Sequence, residues 1–95
     1  QFKVKILEVL PGRKLSYQSH KKRSERWTVV SGEATVIIDG IEKVHVEGDV
    51  ILIDMGSKHR LINNTDRPVI VVEVQMGEYF GENDIERFED DYGRI

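Results

Sequence analysis

Turn-forming residues divide the 95-residue chain into strand-length segments, and this spacing restricts its fold more than any other feature. The strongest signal is Asp39-Gly40, which separates two β-rich runs and is typical of a two-residue hairpin turn. Further breaks lie at Pro11-Gly12, Ser31-Gly32, Gly48-Asp49 and Gly56. Short segments with regular turn signals between them predict an all-β barrel or sandwich.

Eight strands are expected, at residues 2–9, 15–20, 25–30, 34–38, 41–46, 50–53, 59–62 and 69–76. After Gly77 the alternation stops, and residues 81–88 are predicted to form a short C-terminal helix of one or two turns. We expect one domain over 1–95, with the β-barrel in 1–80 and the helix and tail in 81–95. The first strand could pair with the sheet edge of a second copy, which would give a homodimer.

The composition excludes several kinds of site and partner. The chain has no cysteine, which rules out disulfides and thiolate ligands and fits a reducing, cytoplasmic location. The net charge is -3, and no aromatic residues alternate with Lys21 and Lys22, so no nucleic-acid partner is expected. These two lysines are predicted to form a solvated turn. No apolar run approaches the roughly 20 residues of a membrane helix, so no membrane partner is expected.

Two neighbouring segments and one distant segment carry side chains that suit a metal site. Gln18 and His20 are two residues apart in a predicted strand and therefore point to the same side. Glu25 begins the next strand after a tight loop, and His59 begins a later one. Two imidazoles, a carboxylate and an amide that meet inside a barrel would form a four-ligand site for a divalent metal.

Each of these residues also has a simpler interpretation. A single histidine is more often exposed or hydrogen-bonded than bound to a metal, and Glu25 lies in a charged stretch where an ion pair is common. The third histidine, His45, alternates with Val44 and Val46 and is expected to face solvent. Trp27 shares the face of Glu25 and is expected to form a wall of the pocket. Only the joint pattern favours the metal site.

The spacing of these residues resembles the two sequence motifs of the cupins. The first motif is matched by Gly12, Gln18, His20, Glu25 and Gly32. The second motif is matched by Gly48, Asp54, Gly56, His59 and Asn63. Gln18 stands where many cupins have histidine, and Asp54 stands where proline is usual. The resemblance implies an all-β fold, a single small cupin or jelly-roll β-barrel.

Longer stretches, residues 11–36 and 56–94, resemble the C-terminal cupin domain of type II mannose-6-phosphate isomerases. The resemblance implies a metal-dependent interconversion of mannose 6-phosphate and fructose 6-phosphate, with a sugar phosphate as the ligand. It implies that Gln18, His20, Glu25 and His59 bind the metal, with zinc expected first and manganese, cobalt, nickel or magnesium as alternatives. The guanylyltransferase domain that often precedes this domain is absent from the sequence, so guanylyl transfer is not expected.

The same resemblance assigns roles to further residues. Arg23 matches the arginine of the family's Arg-x-Glu motif and is expected to bind the substrate or assist catalysis, although a surface ion pair is the simpler interpretation. Arg94, in the terminal Tyr-Gly-Arg, is expected to close over the site, and Tyr79 to bind substrate as part of a lid. Glu25 and Glu73 are both candidates for the catalytic base.

Two other kinds of function also stay open on the sequence. One is a non-catalytic metal-binding cupin that holds a sugar phosphate or a nucleotide sugar. The other is a different cupin enzyme such as a dioxygenase, against which the neutral amide of Gln18 argues. Turnover of mannose 6-phosphate that depends on a divalent metal would distinguish the isomerase from both.

Overall fold

The computed structural model describes residues 1–89, which form nine strands in two antiparallel sheets. The strands are β1 (Phe2–Val9), β2 (Tyr17–Ser19), β3 (Arg23–Ser31), β4 (Ala34–Ile38), β5 (Ile41–His45), β6 (Val50–Ile53), β7 (His59–Ile62), β8 (Val69–Gly77) and β9 (Glu86–Glu89). One sheet has the strand order β1-β8-β3-β6, and the other has the order β5-β4-β7-β2-β9. The predicted all-β class is confirmed.

The predicted hairpin turn is confirmed and sets the register of β4 and β5. Asp39 has a φ of 49° and Gly40 a φ of 83°, so both central residues adopt the left-handed conformation that a type I′ turn requires. Aspartate tolerates this conformation better than most residues, and glycine adopts it at no steric cost. Ile38 therefore pairs with Ile41 at the end of an antiparallel ladder.

The interior between the sheets changes from apolar to polar along the paired strands β3 and β8. Val29 lies opposite Val71 in the apolar part of the interior, and Trp27 lies opposite Glu73. Glu25 lies opposite Gln75 at the next inward level. The core cluster is Val9, Trp27, Val29, Ala34, Val36, Ile51, Ile53, Leu61, Val69 and Val71. One end of the barrel is thus an ordinary apolar core, and the other end gathers buried polar groups.

The outer face of the four-stranded sheet is also apolar. Phe2, Val4 and Ile6 share a face, as their alternation predicts, and they are 72%, 53% and 72% exposed. Lys5 and Leu7 point the other way, toward the interior, where both line a pocket. The exposed apolar residues of this outer face are Phe2, Val4, Ile6, Val30, Val50, Leu52 and Met76.

The predicted C-terminal helix is wrong. Glu82–Asp84 form a single 3-10 turn that no side chain caps, and Ile85 returns to an extended conformation with φ -117°. β9 follows and pairs with β2, whose edge would otherwise be unpaired, so sheet hydrogen bonds replace those of a helix. The predicted tail at residues 90–95, including Arg94, lies outside the described residues. Within residues 1–89 no helix is long and apolar enough to cross a membrane.

Candidate metal centre and active site

A pocket of about 190 Å³ opens at the polar end of the barrel, between the two sheets. All four predicted metal ligands, Gln18, His20, Glu25 and His59, line it. They reach it from three different strands and one loop that the antiparallel ladders bring together, since Gln18 of β2 lies directly opposite His59 of β7. The pocket is smaller than the roughly 300–1,000 Å³ typical of drug-sized ligands.

Three of the predicted ligands form a tight buried cluster around the carboxylate of Glu25. Nε2 of His20 lies 3.3 Å from Oε2 of Glu25, and Nε2 of His59 lies 3.6 Å from Oε1. One ligand atom from each residue lies within 4.8 Å of the others, and all three residues are at most 3% exposed. This spacing suits coordination of one ion by three side chains.

Both histidines are anchored through the nitrogen that faces away from Glu25. Nδ1 of His20 lies 2.9 Å from the carbonyl oxygen of Asp84, and Nδ1 of His59 lies 3.1 Å from that of Ser57. A carbonyl only accepts hydrogen bonds, so each Nδ1 carries the proton and each Nε2 presents a lone pair. Metal-binding histidines are typically held in this way, with the second ring nitrogen donating to a carbonyl or carboxylate.

Burial keeps both imidazoles in the neutral form that binds a metal. Desolvation lowers the pKa of His59 from 6.5 to about 4, against the opposing hydrogen bond to Ser57. Desolvation also lowers the pKa of His20, and the Arg23 guanidinium adds to the effect. At neutral pH the two Nε2 lone pairs are therefore available without the loss of a proton.

Gln18 offers a fourth donor atom to the same pocket. Its Nε2 donates to Oγ of Ser16 at 3.2 Å, which leaves Oε1 as the side-chain atom able to bind a cation. Two neutral imidazoles, one carboxylate and one amide oxygen fit a divalent ion of borderline hardness, such as zinc. The residues present therefore fit the metal that the sequence predicts.

Arg23 lies inside the cluster rather than on the surface. Its Nε donates to Oε2 of Glu25 at 3.1 Å, and its Nη1 to the carbonyl of Phe80 at 3.2 Å. Its Nη2 lies 3.2 Å from Nε2 of His20. This last hydrogen bond must be given up when Nε2 of His20 binds a metal. The buried guanidinium is thus placed to orient Glu25, and its predicted contact with substrate stays a prediction.

A second carboxylate, Glu73, is joined to Glu25 by the indole of Trp27. The indole nitrogen Nε1 lies 3.1 Å from Oε1 of Glu25 and 3.0 Å from Oε2 of Glu73. Desolvation, followed by repulsion from Glu25, raises the pKa of Glu73 to about 7. Trp27 is a wall of the pocket, as predicted, but the alternation of residues did not reveal its role as a hydrogen-bond donor.

Gln75 is a pocket residue that the sequence reasoning missed. Its Nε2 donates to Oε1 of Glu73 at 2.7 Å. Its Oε1 is buried and, among the described residues, has no hydrogen-bond partner, so a water or ligand donor is needed to satisfy it. The signal was available, because Gln75 is two residues from Glu73 and therefore shares its inward face.

Asp84 is a second missed residue, and it fixes the loop that carries His20. Its carboxylate accepts hydrogen bonds from the backbone N–H of Lys21 at 3.1 Å and of Lys22 at 2.9 Å. Although partial desolvation opposes the effect, these two donors hold the pKa of Asp84 below its usual value. Lys21 and Lys22 are themselves exposed, as the predicted solvated turn requires.

Tyr79 and His45 lie apart from the cluster, whereas Arg60 lines the pocket. Tyr79 is 39% exposed, donates its hydroxyl to Asn83 and does not line the pocket. Arg60, the neighbour of His59, is only 5% exposed and lines the pocket, and its Nε donates to the carbonyl of Leu15. His45 lies away from the pocket with Nδ1 3.4 Å from Oδ2 of Asp49.

Comparison with known proteins gives a family match over nearly the whole chain. Residues 1–90 match the family described as mannose-6-phosphate isomerase C-terminal. The alginate biosynthesis protein AlgA of Pseudomonas aeruginosa is 47% identical over 94 residues, which is 99% of this chain and 20% of that relative. Mannose-1-phosphate guanylyltransferase ManC of Salmonella typhimurium is 43% identical over 95 residues, again 20% of its length. The chain thus spans about a fifth of these relatives.

Solved structures agree on the fold. A Klebsiella pneumoniae protein with a double-stranded β-helix domain superimposes with a TM-score of 0.81 at 27% identity, over 94% of this chain and 76% of that one. A cupin 2 conserved barrel domain protein from Salinispora arenicola gives a TM-score of 0.72 at 27% identity, over 78% of this chain and 61% of that one. The small cupin barrel predicted from the two motifs is confirmed.

Proposed function

Since the chain belongs to the mannose-6-phosphate isomerase C-terminal family, we propose that it is a metal-dependent isomerase of sugar phosphates. The proposed reaction interconverts mannose 6-phosphate and fructose 6-phosphate through an enediolate. A base removes the proton from C2 of the aldose, a proton is delivered to C1, and a hydroxyl proton moves from O2 to O1. No oxidant, reductant or second substrate is consumed.

The observation that carries the proposal is the common orientation of the two histidines. His20 and His59 both donate from Nδ1 to backbone carbonyls and turn Nε2 toward Glu25. Buried neutral imidazoles that share one carboxylate are costly in a barrel interior unless they hold something. With Gln18 they form the proposed ligand set, with zinc as the first choice and manganese, cobalt, nickel or magnesium as alternatives. A bound divalent ion would polarise the oxygens of the sugar.

The remaining polar residues of the pocket are assigned by position. Glu73 is the carboxylate left over when Glu25 binds the metal, and we assign it the transfer of the proton between C2 and C1. Trp27 and Gln75 hold its two oxygens by hydrogen bonds, so the carboxylate is fixed in orientation. Arg23 orients Glu25 through Nε, and Oε1 of Gln75 is available to a sugar hydroxyl.

The proposal is tested by a coupled assay that detects fructose 6-phosphate formed from mannose 6-phosphate. The protein is stripped with a chelator, dialysed and reloaded with zinc or another divalent ion. Turnover is expected only after reloading, and Glu73→Gln should lower kcat without loss of bound metal. A binding cupin would take up metal and sugar phosphate with no turnover, and a dioxygenase would instead consume oxygen.

We propose three further properties together with this function: the domain organisation, the location and the oligomeric state. We propose that residues 1–95 form one domain in which the barrel extends beyond residue 80 through β9. We propose a cytoplasmic location, which the absence of cysteine supports. We propose a homodimer, and we place its contact on the outer face of the four-stranded sheet instead of at the edge of the first strand, where the sequence led us to expect it. The apolar side chains of this face, among them Phe2, Ile6 and Leu52, are well exposed, as a contact with a second copy requires.

A further inference from the structure

The strand that replaces the predicted helix brings a cation to the mouth of the pocket. Arg87 of β9 is paired with Gln18 of β2. Directly paired residues of neighbouring strands project to the same side of a sheet, so the Arg87 side chain extends to the side of the proposed metal ligand. Arg87 lines the pocket and is itself exposed, which places its guanidinium at the rim rather than in the interior.

Arg23, the arginine expected to bind the substrate, already forms hydrogen bonds within the protein. The Arg23 guanidinium contacts Glu25, Phe80 and His20 through three different nitrogens, and the residue is only 3% exposed. Among the side chains that the structure describes, by contrast, none forms a hydrogen bond or an ion pair with the Arg87 side chain. A planar guanidinium whose N–H groups are not used by other residues can bind two oxygens of a phosphate at once.

The negative charges of the pocket lie deep inside it, and positive charges lie nearer its rim. The carboxylates of Glu25 and Glu73 lie deep and are at most 5% exposed. Arg87 and Lys5 are further pocket residues, on β9 and β1, and are less buried than the carboxylates. A phosphate monoester carries close to two negative charges and is strongly hydrated, so it is best accommodated at the cationic, solvent-facing rim.

We propose that Arg87 binds the phosphate group of the sugar phosphate at the pocket mouth. This inference rests on the proposed function, because it assigns a binding position in the same pocket to the phosphate of the proposed substrate. The phosphate then faces solvent, and the carbonyl end of the sugar extends inward to Glu73 and the histidines. The substrate class is narrowed to small phosphate monoesters whose reacting carbons lie several bonds from phosphorus.

The test is binding rather than turnover, so it does not depend on the isomerase assay. Metal-free protein is titrated calorimetrically with inorganic phosphate, fructose 6-phosphate and fructose. We expect both phosphate compounds to bind and fructose to bind far more weakly. Loss of a charge-assisted pair corresponds to about 10-fold or more in affinity, which we expect for Arg87→Ala. Arg87→Lys should recover part of the lost affinity, because lysine keeps the positive charge but lacks the paired N–H donors of the guanidinium.

Arg67→Ala is the matched control, since Arg67 is exposed on a loop and does not line the pocket. It should bind both phosphate compounds like the wild type. Equal affinities for Arg87→Ala and Arg67→Ala would overturn the proposal, as would a wild-type protein that binds neither phosphate compound. If Arg87-dependent binding is found but mannose 6-phosphate is not converted, the isomerase proposal fails while the phosphate subsite stands.

Discussion

The indole N–H of Trp27 lies 3.0 Å from Oε2 of Glu73, across the ladder that joins β3 to β8. The same N–H lies 3.1 Å from Glu25, so one donor serves two buried carboxylates. Without this N–H, each carboxylate would lose a hydrogen bond that offsets the free-energy cost of removing it from water. The tryptophan therefore acts on the chemistry of the pocket as well as on its packing.

Trp27→Phe should destabilise the protein more than the loss of packing alone would. It removes the donor shared by the two carboxylates, and an unsatisfied buried group costs roughly 1–3 kcal/mol. Urea denaturation followed by circular dichroism measures the change, since Trp27 is the sole tryptophan and its fluorescence is lost in the variant. In a double-mutant cycle with Glu73→Gln, the two changes in unfolding free energy should not add, and strictly additive changes would show that the indole does not stabilise Glu73.

Glu73→Gln should alter how stability depends on pH in the metal-free protein. The pKa of Glu73 is raised from 4.5 to about 7, so the folded state binds this proton more tightly than the unfolded state. Its stabilising contribution is present below pH 4.5 and is lost as the pH rises to about 7. Relative to wild type, the variant should gain up to about 3 kcal/mol across this window.

The histidines are common to both proteins, but they also titrate in this range and are coupled to Glu73. The lowered pKa of His59 acts in the opposite sense, since stability rises as the pH increases from about 4 to 6.5. Subtracting the unfolding free energies of the two proteins removes only the part of this contribution that does not depend on Glu73, because the charge of Glu73 itself raises the pKa of His59. Parallel curves of stability against pH would contradict the raised pKa of Glu73.

Asp84→Ala should weaken metal binding although Asp84 is not a proposed ligand. Its carboxylate holds the backbone of Lys21 and Lys22, and its carbonyl accepts from Nδ1 of His20. Loss of such outer support typically lowers metal affinity about 10- to 100-fold. Competition with a chromophoric chelator measures the change. Asp66→Ala, at an exposed loop position, should leave the affinity unchanged, and a similar loss in both variants would contradict the role of Asp84.

Ile6→Lys should convert the proposed dimer to a monomer in sedimentation experiments. Ile6 lies on the outer face of the four-stranded sheet, where a buried lysine would carry an uncompensated charge. Ile41→Lys is the matched control, because Ile41 is equally exposed, at 72%, but lies on β5 of the other sheet. A monomeric wild type, or the same shift for both variants, would contradict this interface.

Local patterns predicted the parts of the fold that depend on residues near one another in sequence. Alternation placed Glu25, Trp27 and Val29 on one inward face, and Asp39-Gly40 fixed a hairpin with its register. Strand periodicity indicated that Gln18 and His20 share a face, and the resemblance to the cupin motifs added Glu25 and His59 to the predicted ligands. The strand bounds 2–9, 34–38, 50–53 and 59–62 agree with β1, β4, β6 and β7.

Features that depend on long-range pairing could not be predicted. The segment after Gly81 forms a strand because the edge of β2 is available to it, and a sequence pattern contains no information about that edge. The same pairing brings Arg87 to the pocket mouth. Because these residues were predicted to form a helix, the position of Arg87 at the pocket could not be predicted. The bridge from Trp27 to Glu73 likewise depends on the register between β3 and β8, which the turns alone do not set.

The metal content of purified protein tests the central claim most directly. Protein reloaded with zinc, dialysed and analysed by inductively coupled plasma mass spectrometry should contain about one ion per chain, as expected for one four-ligand site. His59→Ala should lose most of it, whereas His45→Ala should retain it, because His45 lies outside the pocket and pairs with Asp49. Equal metal content in the two variants, or none in the wild type, would contradict the metal centre.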